Sequence, residues 1–242
     1  MVLPGGSSII SIYLNLRLNS SSRTGLSSTL AFSKFMSPKY NRKDHLYQRA
    51  KEQGYRSRAA FKLKELQAAH RLIPKGGSVL DVGAWPGGWC QVALECIGAL
   101  DSEDPAKGGA GEVWGIDLQE LEPLDDPRCH LIRGDARDLE LLLPREGMKF
   151  DAVISDMSPK LTGIREVDQA ATVGCAELAL WVAERYLKVG GSFVVKVFKG
   201  NETDLFVRSL RPIFKRVVRS ELDSTRGTSN EFYVVGLGLG TK

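Results

Sequence analysis

Three carboxylates and a run of glycines stand where a sheet would present them to a ligand. The segment VLDV carries Asp81 and runs into Gly83-Ala84-Trp85-Pro86-Gly87-Gly88-Trp89, followed by a helix-forming stretch. Glycines at a strand-to-helix turn let the backbone bend sharply and approach a ligand where a Cβ would collide. A turn built for a pyrophosphate would read GxGxxG. This one reads Asp-x-Gly-x-x-x-Gly, with an acid on the strand before it. It suits a cofactor that carries cations rather than phosphates, and S-adenosylmethionine, with its sulfonium and ammonium groups, is such a molecule. Asp117 closes VWGID, where a carboxylate can accept both hydroxyls of a ribose. Asp135, in RGDAR, is placed to meet an adenine amino group. Either acid alone could equally cap a loop. Their order at successive strand ends favours one shared site.

Four more polar residues interrupt apolar surroundings. Lys62 lies in SRAAFKL, Asp156 follows the strand FDAVIS in SDMSP, Lys196 sits inside FVVKVF, and Glu231 opens the strand in SNEFYVV. A lysine within an apolar strand is costly unless it is paired or faces a cleft. Taken singly, Lys196 could snorkel to solvent and Glu231 could be a strand-end charge.

The elements that must position these groups alternate in type. The chain reads as helix from Asp44 to about His70, broken near Gly54, with Ala59, Ala60, Leu63 and Leu66 on one apolar stripe. Strands are expected at Ser78–Val82, Glu112–Ile116, His130–Arg133, Phe150–Ser155 and Ser192–Val197, with two more at Lys215–Leu222 and Glu231–Leu237. Helices are expected at Gly88–Ile97, from Asp168 to Leu187 with Gly190-Gly191 closing it, and at Glu202–Leu210; Asp104–Gly111 reads as loop. Near-continuous apolar strands separated by helices argue an α/β fold: a Rossmann-like, seven-stranded, mostly parallel sheet with helices on both faces.

The 242 residues and 43% hydrophobic content suit one sizeable core, and no stretch approaches a membrane span. The four cysteines lack metal-ligand or CxxC spacing, so buried thiols and no metal site are expected. The net charge of +4 conceals an asymmetry. Between Lys34 and Lys75 there are 12 Lys and Arg against 3 Asp and Glu, whereas residues 76–242 hold 19 against 26. A basic segment joined to an acidic body fits a polyanion-binding arm beside a small-molecule site, or a solvated helix face. Residues 1–35 are Ser-rich and carry no acid, as a mitochondrial-type presequence does, or translation begins at Met36. The organisation expected is a leader over 1–35, a basic helical extension over 36–75 and a catalytic domain over 76–242.

The set Lys62, Asp156, Lys196 and Glu231, together with GAWPGGW, RGDAR and SDMSP, resembles the FtsJ/RrmJ-type ribosomal RNA large-subunit 2′-O-ribose methyltransferases, over about Tyr47 to Leu237. It departs from them at Trp85, where a small residue is usual, and at Lys160, which follows Ser158-Pro159 where Asn after Ala-Pro is common. The resemblance implies an S-adenosylmethionine-dependent enzyme methylating a uridine 2′-hydroxyl of 23S-type RNA. By the same resemblance Lys196 accepts the proton, Asp156 aligns Lys196 near the methyl donor, and Lys62 and Glu231 orient the ribose. The cofactor set is Asp81, Gly83, Gly87, Gly88, Trp89, Asp117, Asp135 and Asp156.

A 2′-hydroxyl acceptor requires RNA. Lys39, Arg42, Lys43, Arg56, Arg58, Lys62 and Lys64 are candidates for its phosphates, with Arg165, Lys199 and Arg226 extending the track. The partner expected is ribosomal RNA in the large subunit or its precursor, met by a monomer without membrane contact in the cytoplasm, or in the mitochondrion if residues 1–35 are a presequence. A transfer-RNA enzyme, a non-catalytic ribosome-assembly factor and a nicotinamide oxidoreductase are the rivals; the missing GxGxxG argues against the last.

Overall fold

Why the polar residues share one place follows from strand direction. In the computed structural model, which describes residues 45–98, 111–160, 162–225 and 229–241, helices α1 (His45–Glu52) and α2 (Ala60–His70) precede strand β1 (Val79–Val82). Then come α3 (Gly88–Ile97), β2 (Val113–Asp117), β3 (Cys129–Arg133), a short 3-10 turn (Ala136–Asp138), α4 (Leu139–Leu142) and β4 (Phe150–Ser155). The chain continues with α5 (Arg165–Tyr186), β5 (Leu187–Phe198), α6 (Asn201–Ser209), β6 (Phe214–Ser220) and β7 (Glu231–Leu239). The leader expected over 1–35 and most of the loop expected over 104–111 lie outside the described residues.

The seven strands form one sheet in the order β3-β2-β1-β4-β5-β7-β6. Neighbours from β3 to β5 pair in parallel, and β7 runs antiparallel between β5 and β6. Six strands therefore point one way, and β7 starts at the edge where the others end. The carboxyl ends of β1 to β5 and the amino end of β7 lie together, at the edge where open α/β sheets bind ligands.

The period-two alternation of strand side chains sorts the core into two layers. Val79, Val113, Ile154, Val194, Tyr233 and Val235 pack with Leu63 and Leu66 of α2 and Val92 and Ala93 of α3. The opposite faces, with Leu80, Val153, Phe193, Val195 and Val234, pack against α5 and α6. By the same alternation Asp81, Lys196 and Glu231 face the α2–α3 layer, so Lys62 on α2 can reach them. Ala60, Leu63 and Leu66 of the expected stripe are fully buried.

The largest boundary shift is at the start of β5. Gly190-Gly191 lies inside β5 rather than closing α5, because Leu187 leaves the helix in extended conformation and already pairs with Phe150. A Cβ at Gly191 would come within 2.9 Å of the Asp151 carbonyl, so glycine there serves strand approach. No helix among the described residues is long and apolar enough to cross a membrane.

Candidate active site

Two buried ion pairs meet on one tyrosine. Lys62 Nζ donates to Glu231 Oε1, joining α2 to the start of β7. Lys196 Nζ donates to the Asp156 main-chain oxygen at 2.7 Å and lies 3.1 Å from Asp156 Oδ1, joining β5 to the loop after β4. Tyr233 links the pairs. It stands directly opposite Lys196 in the β5–β7 register, its hydroxyl donates to Asp156 Oδ1 at 2.7 Å, and the Lys62 ammonium lies 5.7 Å from its ring centroid. Burial first, then Asp156, push the Tyr233 phenol well above its ordinary range, so it remains a donor. Both lysines are only 6% exposed, and each would be prohibitively costly there without its acid. Thr225 Oγ1 adds a donor to Glu231 Oε1 at 3.3 Å.

The glycine turn lies beside these pairs. Gly83 and Gly87 both have positive φ, +80° and +108°, which explains glycine at both positions. The atoms a Cβ would strike belong to the chain itself: Met157 Cγ at Gly83, Arg56 Nη1 at Gly87 and Ser57 Oγ at Gly88. The sequence reading had these glycines clearing space for a ligand; within the protein they also let two neighbouring segments close on the turn. Trp89 is buried, its Nε1 donates to Ala59 O at 2.8 Å, and its ring packs 5.8 Å from that of Tyr233. A cavity of about 110 Å³ is lined by Asp81, Gly83, Trp85, Gly88, Trp89 and Asp156, among others. A larger groove of about 530 Å³ opens at the opposite edge, near Leu187, Ile213 and Leu239, away from this chemistry.

Asp81 is 1% exposed and accepts a hydrogen bond from Cys90 Sγ at 3.3 Å. Burial, opposed by that bond and reinforced by the charges of Asp156 and Asp117, pushes its carboxyl up to about 8. Two carboxylates, Asp81 and Asp156, thus line one cavity with Asp117 near enough to act on Asp81, and only Asp156 has a cation beside it, so the set suits a ligand bearing positive charge. Asp117 accepts from Trp85 N at 3.0 Å and Gln119 N at 2.8 Å through different oxygens, leaving a lone pair on each for a ribose hydroxyl. Asp135 caps the 3-10 turn and is tied to Arg137, whose guanidinium holds its carboxyl below the ordinary range. It is both a loop cap and a group at the ligand edge.

Several of the cations expected along the phosphate track have partners within the protein. Arg56 spends its guanidinium on the main-chain oxygens of Pro86 (3.3 Å), Glu122 (2.6 Å) and Pro123 (2.6 Å). Lys64 pairs with Glu95 at 3.0 Å, Lys62 with Glu231, and Lys199 with Glu221 at 2.7 Å. These cations hold the protein together, because each finds an acid or carbonyl on a neighbouring element. Lys39, Arg42, Lys43 and Arg226 lie outside the described residues, as does the side chain of Arg165. Sequence reasoning passed over Tyr233 and Cys90 as site residues and assigned Arg56 to phosphates rather than to the main-chain oxygens it meets. Tyr233 had a signal, standing two residues after Glu231 and so on the same strand face; nothing local marks Cys90 or the partners of Arg56.

A mostly parallel sheet with one reversed strand and acids at the ends of β1, β2 and β4 defines a Rossmann-like methyltransferase fold. A model of the FtsJ-like methyltransferases matches residues 55–239. The chain belongs to the FtsJ-like methyltransferase family. It is 43% identical to the ribosomal RNA large subunit methyltransferase E of Alkalilimnicola ehrlichii, across 81% of this chain and 90% of that one. It is 41% identical to the protein of the same name from Halorubrum lacusprofundi, across 82% and 72%. A crystal structure of a Plasmodium falciparum protein described as a ribosomal RNA methyltransferase superposes with a TM-score of 0.63 at 26% identity, covering 78% of this chain and all of that one.

Proposed function

We propose that the protein transfers a methyl group from S-adenosylmethionine to a uridine 2′-hydroxyl of large-subunit ribosomal RNA. The observation that carries this reading is the meeting of the Lys62–Glu231 and Lys196–Asp156 pairs at the ligand edge, beside the carboxylate-lined cavity. The names of the relatives supply the RNA. The bound cofactor would supply an electrophilic methyl on a sulfonium centre. Asp81, Asp117 and Asp135 would hold its charged and nucleoside groups, with Gly83, Gly87, Gly88 and Trp89 forming the turn around it.

The chain's own task is to ready a weak nucleophile. Lys196, through the lone pair of its free amine, would take the 2′-hydroxyl proton as the oxygen receives the methyl group that the bound cofactor would supply. Asp156 fixes Lys196 from two directions and lies on the cofactor side. Lys62 and Glu231 orient the ribose, and in-line placement supplies much of the acceleration. The same reading has a monomer acting in the cytoplasm on the large subunit or its precursor, with 1–35 as a leader, 36–75 as a basic helical extension and 76–242 as the catalytic domain.

The test is to incubate the protein with labelled S-adenosylmethionine and large ribosomal subunits lacking the modification, then map the label. One uridine ribose in the large-subunit RNA is expected. Label in transfer RNA alone, or on a base, would overturn the assignment.

A further inference from the structure

One side chain at the mouth of the cavity and one on the neighbouring loop enter neither the ion pairs nor the contacts of the cofactor acids. Trp85, in the turn after β1, is 51% exposed, whereas the neighbouring walls Asp81, Ala84 and Trp89 are buried. Its backbone is anchored, the amide donating to Asp117 Oδ2, so the indole is presented from a held turn. Lys160, in the loop after β4, is exposed and makes no ion pair with any described residue. Strands β1 and β4 are hydrogen-bonded neighbours, so both loops leave the same edge side by side. Asp156 on the second loop lines the same cavity as Trp85.

An exposed aromatic ring and an uncommitted ammonium on neighbouring loops have the chemistry that holds single-stranded nucleic acid: the ring stacks on a base and the cation meets a phosphate. The buried floor at Asp81 suits the methyl donor. Trp85 is half open to the solvent, from which the acceptor must enter. We propose that Trp85 and Lys160 clamp an RNA nucleotide adjoining the target, the indole stacking on its base and the ammonium contacting its phosphate. The inference rests on the RNA reading given above.

Trp85→Ala, Trp85→Phe and Lys160→Ala, made in the full chain, test it against unmodified large-subunit RNA with labelled S-adenosylmethionine. Trp85→Ala should raise KM for RNA about tenfold, in line with the loss of one base stack, and change kcat by less than about threefold. Its affinity for S-adenosylhomocysteine should stay within about twofold, and Trp85→Phe should keep most of the RNA affinity. Lys160→Ala should raise KM several-fold and reduce the logarithmic salt dependence of RNA binding by about 0.7, the share of one phosphate contact. Oligouridylate should quench tryptophan emission in the wild type, and the quench should vanish in Trp85→Phe. An unchanged KM in Trp85→Ala, or a quench that survives in Trp85→Phe, overturns the clamp. An equal loss of S-adenosylhomocysteine affinity would assign the indole to the cofactor and overturn it too. A wild-type protein that shows the Trp85-dependent quench but methylates no RNA would leave the clamp standing and remove the functional reading.

Discussion

Lys196 is the residue whose surroundings specify most. Its Nζ donates to the main-chain oxygen of Asp156 and faces that residue's carboxylate, and Tyr233 braces the carboxylate from the other side. Such a lysine has little rotational freedom, and its remaining capacity is directed by its partners. Lys196→Ala is expected to lower the rate of methyl transfer by about 10²–10⁴-fold, the range for a positioned proton acceptor. Cofactor affinity should remain within a few-fold, which single-turnover kinetics beside S-adenosylhomocysteine titration would establish. Near-normal turnover would remove the role from Lys196. Arginine should not rescue it, since a guanidinium does not give up its proton at any working pH.

At the scale of elements, Arg56 does what no single loop could do for itself. Its planar fork bridges the glycine turn at Pro86 and the segment after β2 at Glu122 and Pro123, and its main-chain amide donates to Gln91 of α3 at 2.9 Å. Both segments lie beside Asp81 and Asp117, and the guanidinium adds a side-chain tie to the main-chain bonds that already join the turn to the end of β2. Arg56→Ala should weaken S-adenosylhomocysteine binding by about tenfold and cost about 2–3 kcal/mol of stability, as expected for lost charge-assisted hydrogen bonds. Arg56→Lys should restore little, because one ammonium cannot span both segments. Calorimetry on the three proteins decides the matter: a lysine variant that binds like wild type would show that charge alone suffices.

For the molecule as a whole, Asp81 links the cofactor site to stability. Its carboxyl is pushed up from 3.8 to about 8 in the folded chain. Between those values the folded protein holds a proton that the unfolded chain releases. The stability associated with this group is therefore full below about 3.8 and is lost as pH rises through about 8. Without ligand, the Tm of the wild type should fall relative to that of Asp81→Asn between about pH 4 and pH 8 and then level off, since the amide cannot ionise. A Tm difference that stays constant across this window would show that Asp81 does not titrate there. Carboxylates held low by partners, such as Asp126 beside Arg128, act at the acid end and cancel in the comparison.

The sequence by itself determined the strand and helix alternation and the glycine turn, and it singled out Lys62, Asp156, Lys196 and Glu231 as polar groups in apolar surroundings. Those are written in local signals: apolar runs, glycines at a strand end, and charges where an apolar face should continue. Tertiary structure alone decided which charges pair. Arg56, Lys62 and Lys64 look alike along a basic helix, and only the neighbouring elements make one a fork between loops, one an active-site partner and one a surface tie to Glu95. The antiparallel insertion of β7 is equally non-local, because it places Glu231 and Tyr233 at the ligand edge through pairing with residues some forty positions earlier in the chain. An electrostatic partner is chosen by distance in space, and sequence spacing constrains that distance only within a single helix or strand.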